Sequence, residues 1–146
     1  MKKIFTDKQS AAAGQKGFSL IEMVVVVVIM AVLAAVAIPI YKNNQIDAYA
    51  PEAEAVLYAY TMAAQRYRAY NGNSFSGMTM NDLKGAPYNV VETTTNWTFS
   101  LTVSDADNFT VTATGNAAQV ADLSGKTITI TYNAAATPNE TKNYNW

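Results

Sequence analysis

The sequence predicts an α+β fold in which one long N-terminal helix packs against a small antiparallel β-sheet. The helix is expected because an uninterrupted apolar run continues into a region with helical spacing of apolar residues. The sheet is expected because three short segments near the end of the chain alternate apolar residues with threonine. With 146 residues, of which 50% are hydrophobic and many lie in the apolar run, the chain allows at most one small globular domain.

The chain begins with a basic segment that is followed by the apolar run. Residues 1–17 hold four lysines against one aspartate, a net charge of +3, and the remainder carries a net charge of −4. No charged residue occurs from Met23 to Tyr41, and about 20 apolar residues are enough for a helix to span a bilayer. This layout is typical of an exported chain whose N-terminus stays in the cytoplasm. The run alone fits both a secretory signal peptide and an uncleaved membrane anchor.

Neither of these alternatives explains Glu22, which lies at the start of the apolar run. A carboxylate at the centre of a membrane helix is unfavourable by about 2.5–3.5 kcal/mol, and less near its end, so that it usually has a dedicated partner. A solvated position at the level of the lipid headgroups is the alternative explanation. The choice depends on the sequence around Glu22, which reads KGFSLIE over residues 16–22.

Residues 16–22 resemble the processing site of type IV prepilins. In that family a leader is cut after a glycine on the cytoplasmic face, the new N-terminal residue is N-methylated, and the apolar stretch stays on the mature protein. The resemblance places the cut between Gly17 and Phe18 and makes Phe18 the methylated N-terminus. It also makes Glu22 the fifth mature residue, a position that the family fills with glutamate.

The resemblance to pilins is strong over residues 14–70 and general beyond them. Pro39 and Tyr41 stand where many pilins carry a proline and a tyrosine, whereas Ala31 stands where many carry a glycine. Pro39 is expected to kink or loosen the helix near the outer end of the apolar run. The resemblance implies that pilin helices loosen near this point when they pack into filaments, and Ala31 leaves the extent of that loosening open.

Glu22 is expected to act in assembly. Cleavage exposes an amine that stays cationic after one methylation, and staggered subunits can place that amine beside Glu22 of a neighbour. In a bundle of low dielectric constant such a pair attracts strongly, whereas either charge alone is heavily penalised. Glu22 would therefore set the register of the assembled subunits.

Beyond Pro39 the helical pattern continues to Tyr70. Pro51 is expected to bend this helix without ending it, and Asn71-Gly72 supplies the stop. The outer half of the helix is predicted to pack under the sheet. Its apolar stripe consists of Ile46, Tyr49, Ala53, Val56, Tyr60, Ala63, Tyr67 and Tyr70.

The sheet is predicted to have three strands, each with one apolar face and one threonine face. The strands cover residues 97–103, 109–114 and 127–132. A connecting loop over residues 71–89, with a short turn at Asn81–Lys84, precedes them. The predicted connections are a hairpin turn at Ser104–Asn108 and a helical turn within residues 116–125. The polar tail from Ala134 carries no predicted strand. Many pilins close this region with a disulfide, and here Trp146 is expected to pack the tail down instead.

These expectations divide the chain into four parts. Residues 1–17 form a cleaved leader, residues 18–41 a transmembrane and filament-core helix, residues 42–72 its amphipathic continuation, and residues 73–146 a β-sheet domain with its connecting loop.

Composition disfavours an enzyme and a metalloprotein. The chain has no cysteine and no histidine, which excludes a disulfide, a thiolate nucleophile and a Cys/His zinc site. No two carboxylates form a recognisable acid–base pair, and Asp105, Asp107 and Asn108 fall short of a calcium cage. No catalytic residue, metal site or cofactor is therefore predicted. The acidic mature part also disfavours nucleic acid as the main partner.

The function expected from the resemblance is that of a structural subunit of a type IV pilus, major or minor. The expected partners are other copies of the chain, the prepilin peptidase and methyltransferase, the pilus assembly platform and the bacterial inner membrane, with the assembled pilus outside the cell. Such a pilus would support adhesion, twitching motility or DNA uptake. The alternatives are a pseudopilin of a type II secretion system and a DNA-binding minor pilin of a competence system.

Overall fold

The computed structural model describes residues 17–146. The predicted leader lies outside the described residues, except for its last residue, Gly17. The chain divides into two compact units, one that ends at Ile38 and one that spans Pro39–Trp146, and each unit is considered by itself.

Helix α1 spans Leu20–Tyr70 and includes both Pro39 and Pro51. As predicted, the helix continues past Pro51. The helix stops at Tyr70 because Gly72 and Asn73 take positive φ angles of 62° and 64°, and the backbone N–H of Asn73 bonds the carbonyl of Arg68 at 2.9 Å. Glycine and asparagine tolerate this left-handed conformation better than other residues do.

After α1 the second unit contains a short helix, four strands and one turn of 3-10 helix. The sheet is an antiparallel meander whose strands follow each other in chain order. The combination of a long helix with an antiparallel sheet confirms the predicted α+β, pilin-like architecture. The elements are α2 (Met80–Lys84), β1 (Trp97–Val103), β2 (Asn108–Gly115), the 3-10 turn (Ala121–Leu123), β3 (Thr127–Asn133) and β4 (Glu140–Asn145).

Strand β4 corrects the prediction of a tail without a strand. Its sequence, ETKNYN, has no alternation of apolar and polar residues, so the period-two signal of a half-buried strand is missing. A strand at the edge of a sheet needs only one hydrogen-bonded neighbour and little burial. β4 pairs with β3, with Lys142 opposite Ile130. Trp146 follows β4 and remains 41% exposed, so the tail is held mainly by strand pairing.

The core of the second unit lies between α1 and the apolar face of the sheet. Trp97 is fully buried, and its indole N–H donates to the backbone carbonyl of Tyr49 at 3.1 Å. Tyr60 is also fully buried and donates its hydroxyl to the carbonyl of Val91 at 2.8 Å. Burial, with a smaller contribution from the negative charge of Glu92, raises the pKa of Tyr60 to about 12. These bonds let two polar aromatic side chains enter the core without a lost hydrogen bond.

The predicted apolar stripe of α1 is right for most of its residues but too narrow. Tyr70 is 84% exposed, because it is the last residue of the helix. The residues that the stripe missed are Ala50, Leu57, Thr61 and Ala64, all of which are buried. They lie on the adjacent helical row, so the sheet and the loop before it cover a wider face than one row.

One close contact fixes the end of β2 against the 3-10 turn. A Cβ atom at Gly115 would lie 2.3 Å from the carbonyl oxygen of Leu123 and 2.7 Å from its Cβ. Leu123 itself is fully buried. Only glycine allows the backbone of β2 to approach the turn this closely.

Candidate functional site

The predicted cleavage site lies in a short exposed stretch before α1. Gly17, Phe18 and Ser19 belong to neither a helix nor a strand, and all three are exposed. Phe18 is 80% exposed. Exposed irregular chain is the form in which a peptidase binds a peptide bond most easily. The geometry is compatible with a cut between Gly17 and Phe18, which stays a prediction.

Ser19 and Glu22 cap the first turn of α1. The backbone N–H of Ser19 donates to Oε2 of Glu22 at 2.8 Å, and the carbonyl of Ser19 accepts the N–H of Met23 at 3.2 Å. This is one half of a capping box, and it holds a negative charge near the positive end of the helix dipole. The Ser-x-x-Glu pattern carries this signal in the sequence. Glu22 is therefore partly satisfied within its own chain, whereas the sequence-based expectation gave it a partner only on docking.

The part of α1 from Leu20 to Ile38 is exposed throughout, and apart from Glu22 it is apolar. The most apolar 18-residue window of α1 has a mean hydropathy of 3.1, and none of that window is buried. At 1.5 Å per residue these residues span about 28 Å, close to the roughly 30 Å of a bilayer core. By length and composition, α1 is the one helix among residues 17–146 that could cross a membrane.

Pro39 is exposed and lies inside α1. Proline has no backbone N–H, so the carbonyl four residues earlier lacks its helical donor. The helix nevertheless continues through this position in the isolated subunit. Loosening of the helix at Pro39 on assembly stays a prediction.

A polar cluster joins β4 to α1, and we call it the Glu54 clasp (Glu54, Lys142 and Tyr144). The ammonium of Lys142 donates to Oε2 of Glu54 at 2.9 Å, and the hydroxyl of Tyr144 donates to the other carboxylate oxygen. The hydrogen bond from Tyr144, followed by that from Lys142, lowers the pKa of Glu54. The same carboxylate raises the pKa of Tyr144. The clasp ties the edge strand to the helix in a chain that has no cysteine to do so.

The outer side of the sheet is an uncharged array of small polar side chains, which we call the threonine face. Neighbouring strands align these residues in three rows. Hydroxyl pairs link β2 to β3, with Thr110 3.4 Å from Thr131 and Thr112 3.3 Å from Thr129. The rows are Thr98, Thr114, Thr127 and Asn145; Ser100, Thr112, Thr129 and Asn143; and Thr102, Thr110, Thr131 and Thr141.

The carboxylates of the β1–β2 turn stabilise the turn itself. Asp105 accepts the backbone N–H of Asp107 at 2.8 Å and the side-chain amide of Asn108 at 2.8 Å. These two donors, the backbone one first, lower the pKa of Asp105. Within residues 17–146, no group of three or more acidic, histidine or cysteine residues is arranged to hold a metal ion.

The lysines of the second half of the chain do not form a basic strip. Lys84 pairs with Glu92, and Lys142 pairs with Glu54. Lys126 makes no ion pair with the part of the chain that the structure describes. Two of these three charges are therefore neutralised locally, which does not favour a surface for the phosphates of nucleic acid.

Three of the four predicted site residues lie close together in the sequence, and the fourth lies apart from them. Gly17, Phe18 and Glu22 lie within six residues around the start of α1, and Pro39 lies 17 residues after Glu22. The sequence interpretation missed Ser19, for which the capping pattern was available. It also missed the Glu54 clasp, for which there was no signal because its members are far apart in sequence.

A protein-family model described as the prokaryotic N-terminal methylation motif matches residues 13–38. The match covers Gly17, Phe18 and Glu22 and is consistent with a type IV pilin-like prepilin signal. Comparison with curated proteins and with solved structures gave no match. The motif supports a pilin-like or pseudopilin protein, a structural class, and implies processing by a prepilin peptidase and assembly into a pilus or a secretion fibre. With the exposed apolar helix, it indicates a membrane-anchored precursor.

Proposed function

We propose that this chain is a structural subunit of a type IV pilus, as a major or minor pilin. The observation that carries this proposal is the methylation motif over residues 13–38, set at the start of a helix that exposes about one bilayer thickness of apolar surface. The leader, residues 1–17, is cut after Gly17, and Phe18 becomes the methylated N-terminus. Before assembly the subunit is held in the inner membrane as a single-pass protein, and it leaves the membrane when it is assembled into an extracellular fibre.

The exposed apolar surface from Leu20 to Ile38 supports polymerisation through this helix. The described chain buries none of it, so its burial requires a bilayer or the same helix of other subunits. In a fibre these helices form an apolar bundle at the axis, and the sheet domains form the shell. Pro39 gives the helix a point at which it can adjust its course between bundle and shell.

Glu22 supplies the specific contact within the apolar bundle. Its carboxylate already bonds the N–H of Ser19, the second residue after the proposed cut. The methylated amine of Phe18 on a neighbouring subunit is the cation that complements it. In an apolar surrounding this pair forms only at one stagger between subunits, because any other stagger leaves both charges buried and unpaired.

The assembled fibre would serve adhesion, twitching motility or DNA uptake. The second candidate is a pseudopilin of a type II secretion system, because the methylation motif is compatible with both classes of fibre. A DNA-binding minor pilin is less well supported, since Lys84 and Lys142 are paired with glutamates.

Sheared surface fibres test the proposal. Electron microscopy and mass spectrometry of the fibres should find this chain as the dominant protein, starting at methylated Phe18. A minor pilin would be present in small amounts. If the chain stays in the membrane and never enters surface fibres, a pseudopilin or a priming role replaces the proposal.

Glu22→Val tests the assembly contact. The mutant chain should still insert into the membrane and lose its leader, because the apolar helix becomes longer, but fibre yield should fall at least about tenfold, since one unpaired buried charge costs more than about 1.4 kcal/mol. Glu140→Gln, which removes a carboxylate from the sheet domain, is the matched control and should assemble normally. Regular fibres at normal yield from Glu22→Val would contradict the role.

A further inference from the structure

A cavity of about 380 Å³ opens where the second unit begins. Residues from three separate parts of the chain line it: Asn43, Ile46 and Asp47 on α1, Lys126 just before β3, and Trp146 just after β4. Ile46 is buried and forms an apolar part of its wall. The cavity thus combines an aromatic ring, an amide and two opposite charges, groups that can fix the orientation of a small polar ligand.

The two charges in the cavity are unpaired among the residues that the structure describes. Neither Asp47 nor Lys126 takes part in any of the ion pairs formed within residues 17–146. The two side chains therefore line the same cavity without neutralising each other by direct contact. A ligand that carries one positive and one negative group would complement both of them.

Trp146 adds an aromatic wall. Its ring centroid lies 6.4 Å from that of Trp97 and 5.6 Å from that of Tyr144, and 41% of the residue remains exposed. The face of an exposed indole attracts cations. Tryptophan is also enriched where lipid headgroups meet water, because its ring is apolar and its N–H is polar.

The position of the cavity along the chain places it beside the membrane surface. The apolar run ends at Tyr41, and Asn43 and Asp47 follow it by two and six residues on the same helix. At 1.5 Å per residue, these positions lie about 3 Å and 9 Å beyond Tyr41. The headgroup layer on each side of a bilayer is roughly 5–8 Å thick. In a membrane-held subunit Asn43 would therefore lie within the headgroup layer, and Asp47 would lie at its outer edge.

We propose that this cavity binds the phosphoethanolamine headgroup of a membrane lipid. Lys126 pairs with the phosphate, and Asp47 accepts hydrogen bonds from the primary ammonium, which lies against the ring of Trp146. Asn43 offers a further donor and acceptor. A choline headgroup lacks ammonium N–H donors, and a glycerol headgroup lacks the positive charge, so both fit less well. This inference rests on the proposed membrane-held stage.

Lipid titration of the full chain tests the proposal. The detergent-solubilised protein is mixed with phosphatidylethanolamine, phosphatidylcholine or phosphatidylglycerol, and bound lipid is counted by native mass spectrometry. Phosphatidylethanolamine should bind best. Asp47→Asn should weaken its binding about tenfold, the size expected for one charge-assisted hydrogen bond, and should bring it to the level of phosphatidylcholine. Lys126→Gln should weaken both zwitterionic lipids.

The matched controls are Lys84→Gln and Asp105→Asn, which remove the same charges outside the cavity and should leave lipid binding unchanged. Equal binding of the three lipids, a preference for phosphatidylglycerol, or an unchanged Asp47→Asn profile would overturn the proposal. Soluble phosphoethanolamine that competes with the lipid supports it. If the soluble compound binds and the lipid does not, the membrane source is wrong.

The outcomes separate this inference from the proposed function. Fibres made of a chain that shows no preference for phosphatidylethanolamine would overturn the headgroup site alone. Selective lipid binding by a chain that never enters surface fibres would overturn only the proposed function as a pilus subunit.

Discussion

The two halves of α1 differ in whether the described part of the chain covers them. From Leu20 to Ile38 no residue is buried, although the sequence is almost wholly apolar. The half that follows carries all of the buried residues of the helix, from Ile46 to Ala64, and its own chain supplies the cover. Hydrophobicity therefore does not decide burial within this chain. The first half exposes an apolar surface, which the proposed function assigns to a bilayer or to other copies of the chain.

The same difference separates two glutamates of α1. Glu54 receives hydrogen bonds from Lys142 and Tyr144, on a strand far away in sequence. Glu22 receives one from the backbone of Ser19 and none from a side chain of residues 17–146. The carboxylate of Glu54 thus ties the helix to the sheet, whereas among residues 17–146 that of Glu22 bonds only its own first turn.

Leu57→Ala should give the largest effect and test the comparison directly. Leu57 is fully buried, so its truncation should lower the free energy of unfolding by about 2–5 kcal/mol. Leu33→Ala, the same change at a residue that is 64% exposed, should leave it unchanged. Denaturant titration of the full chain in detergent, followed by tryptophan fluorescence, gives both values. Similar losses from the two changes would abolish the distinction between the halves.

Gly115→Ala should lower the free energy of unfolding by about 1–3 kcal/mol, the usual cost of overpacking. The added methyl group would collide with the carbonyl of Leu123 and disturb the sheet that covers α1. Gly85→Ala is the control, because a Cβ at Gly85 meets no atom within 4 Å. The same denaturant titration should find the control unchanged. A harmless Gly115→Ala would show that the close approach does not position the sheet.

Glu54→Gln should cost about 1 kcal/mol at neutral pH, because a charge-assisted bond is lost at a site still open to solvent. The pKa of Glu54 is lower in the folded chain than its ordinary value of 4.5. The contribution is therefore complete above about pH 4.5 and disappears as the pH falls through the lowered folded pKa. Unfolding titrations of both proteins should converge at low pH. Glu140→Gln is the control, and a gap that widened on acidification would refute the clasp.

Met62→Ala should have the smallest effect, within about 0.5 kcal/mol. Met62 lies in the covered half of α1 but is 67% exposed. Its truncation therefore tests whether stability depends on burial of the side chain or only on its position in the covered half. A loss as large as that from Leu57→Ala, in the same titration, would mean that another surface covers Met62.

The regular features of the fold could be predicted, because each leaves a local periodic pattern. The apolar run predicts the first half of α1, and the alternation with threonine predicts β1, β2 and β3. Strand β4 leaves no such pattern, because an edge strand held by polar contacts needs no apolar face. Its pairing with β3 depends on residues that only the folded chain brings together.

The candidate site divides in the same way. Gly17, Phe18 and Glu22 are adjacent in sequence and follow a known spacing, so the sequence alone indicates them. The Glu54 clasp joins residues 88 positions apart, and the cavity beside Trp146 joins three segments. Such sites depend on distances between chain segments, for which a sequence carries no local signal.

The threonine face also bears on how the sheet finds its alignment. A strand pattern that repeats every two residues would look the same after a slip of two, with apolar residues still inside and threonines still outside. The repeating residues thus cannot select one pairing. The residues outside the repeat select the pairing. They are Phe109 and Tyr132, whose stacked ring centroids lie 5.2 Å apart, Asp105 in the β1–β2 turn, and Gly115, which lies close to Leu123. Exchanging those few residues for threonine or valine would preserve the alternating pattern of the strands and leave their alignment undetermined.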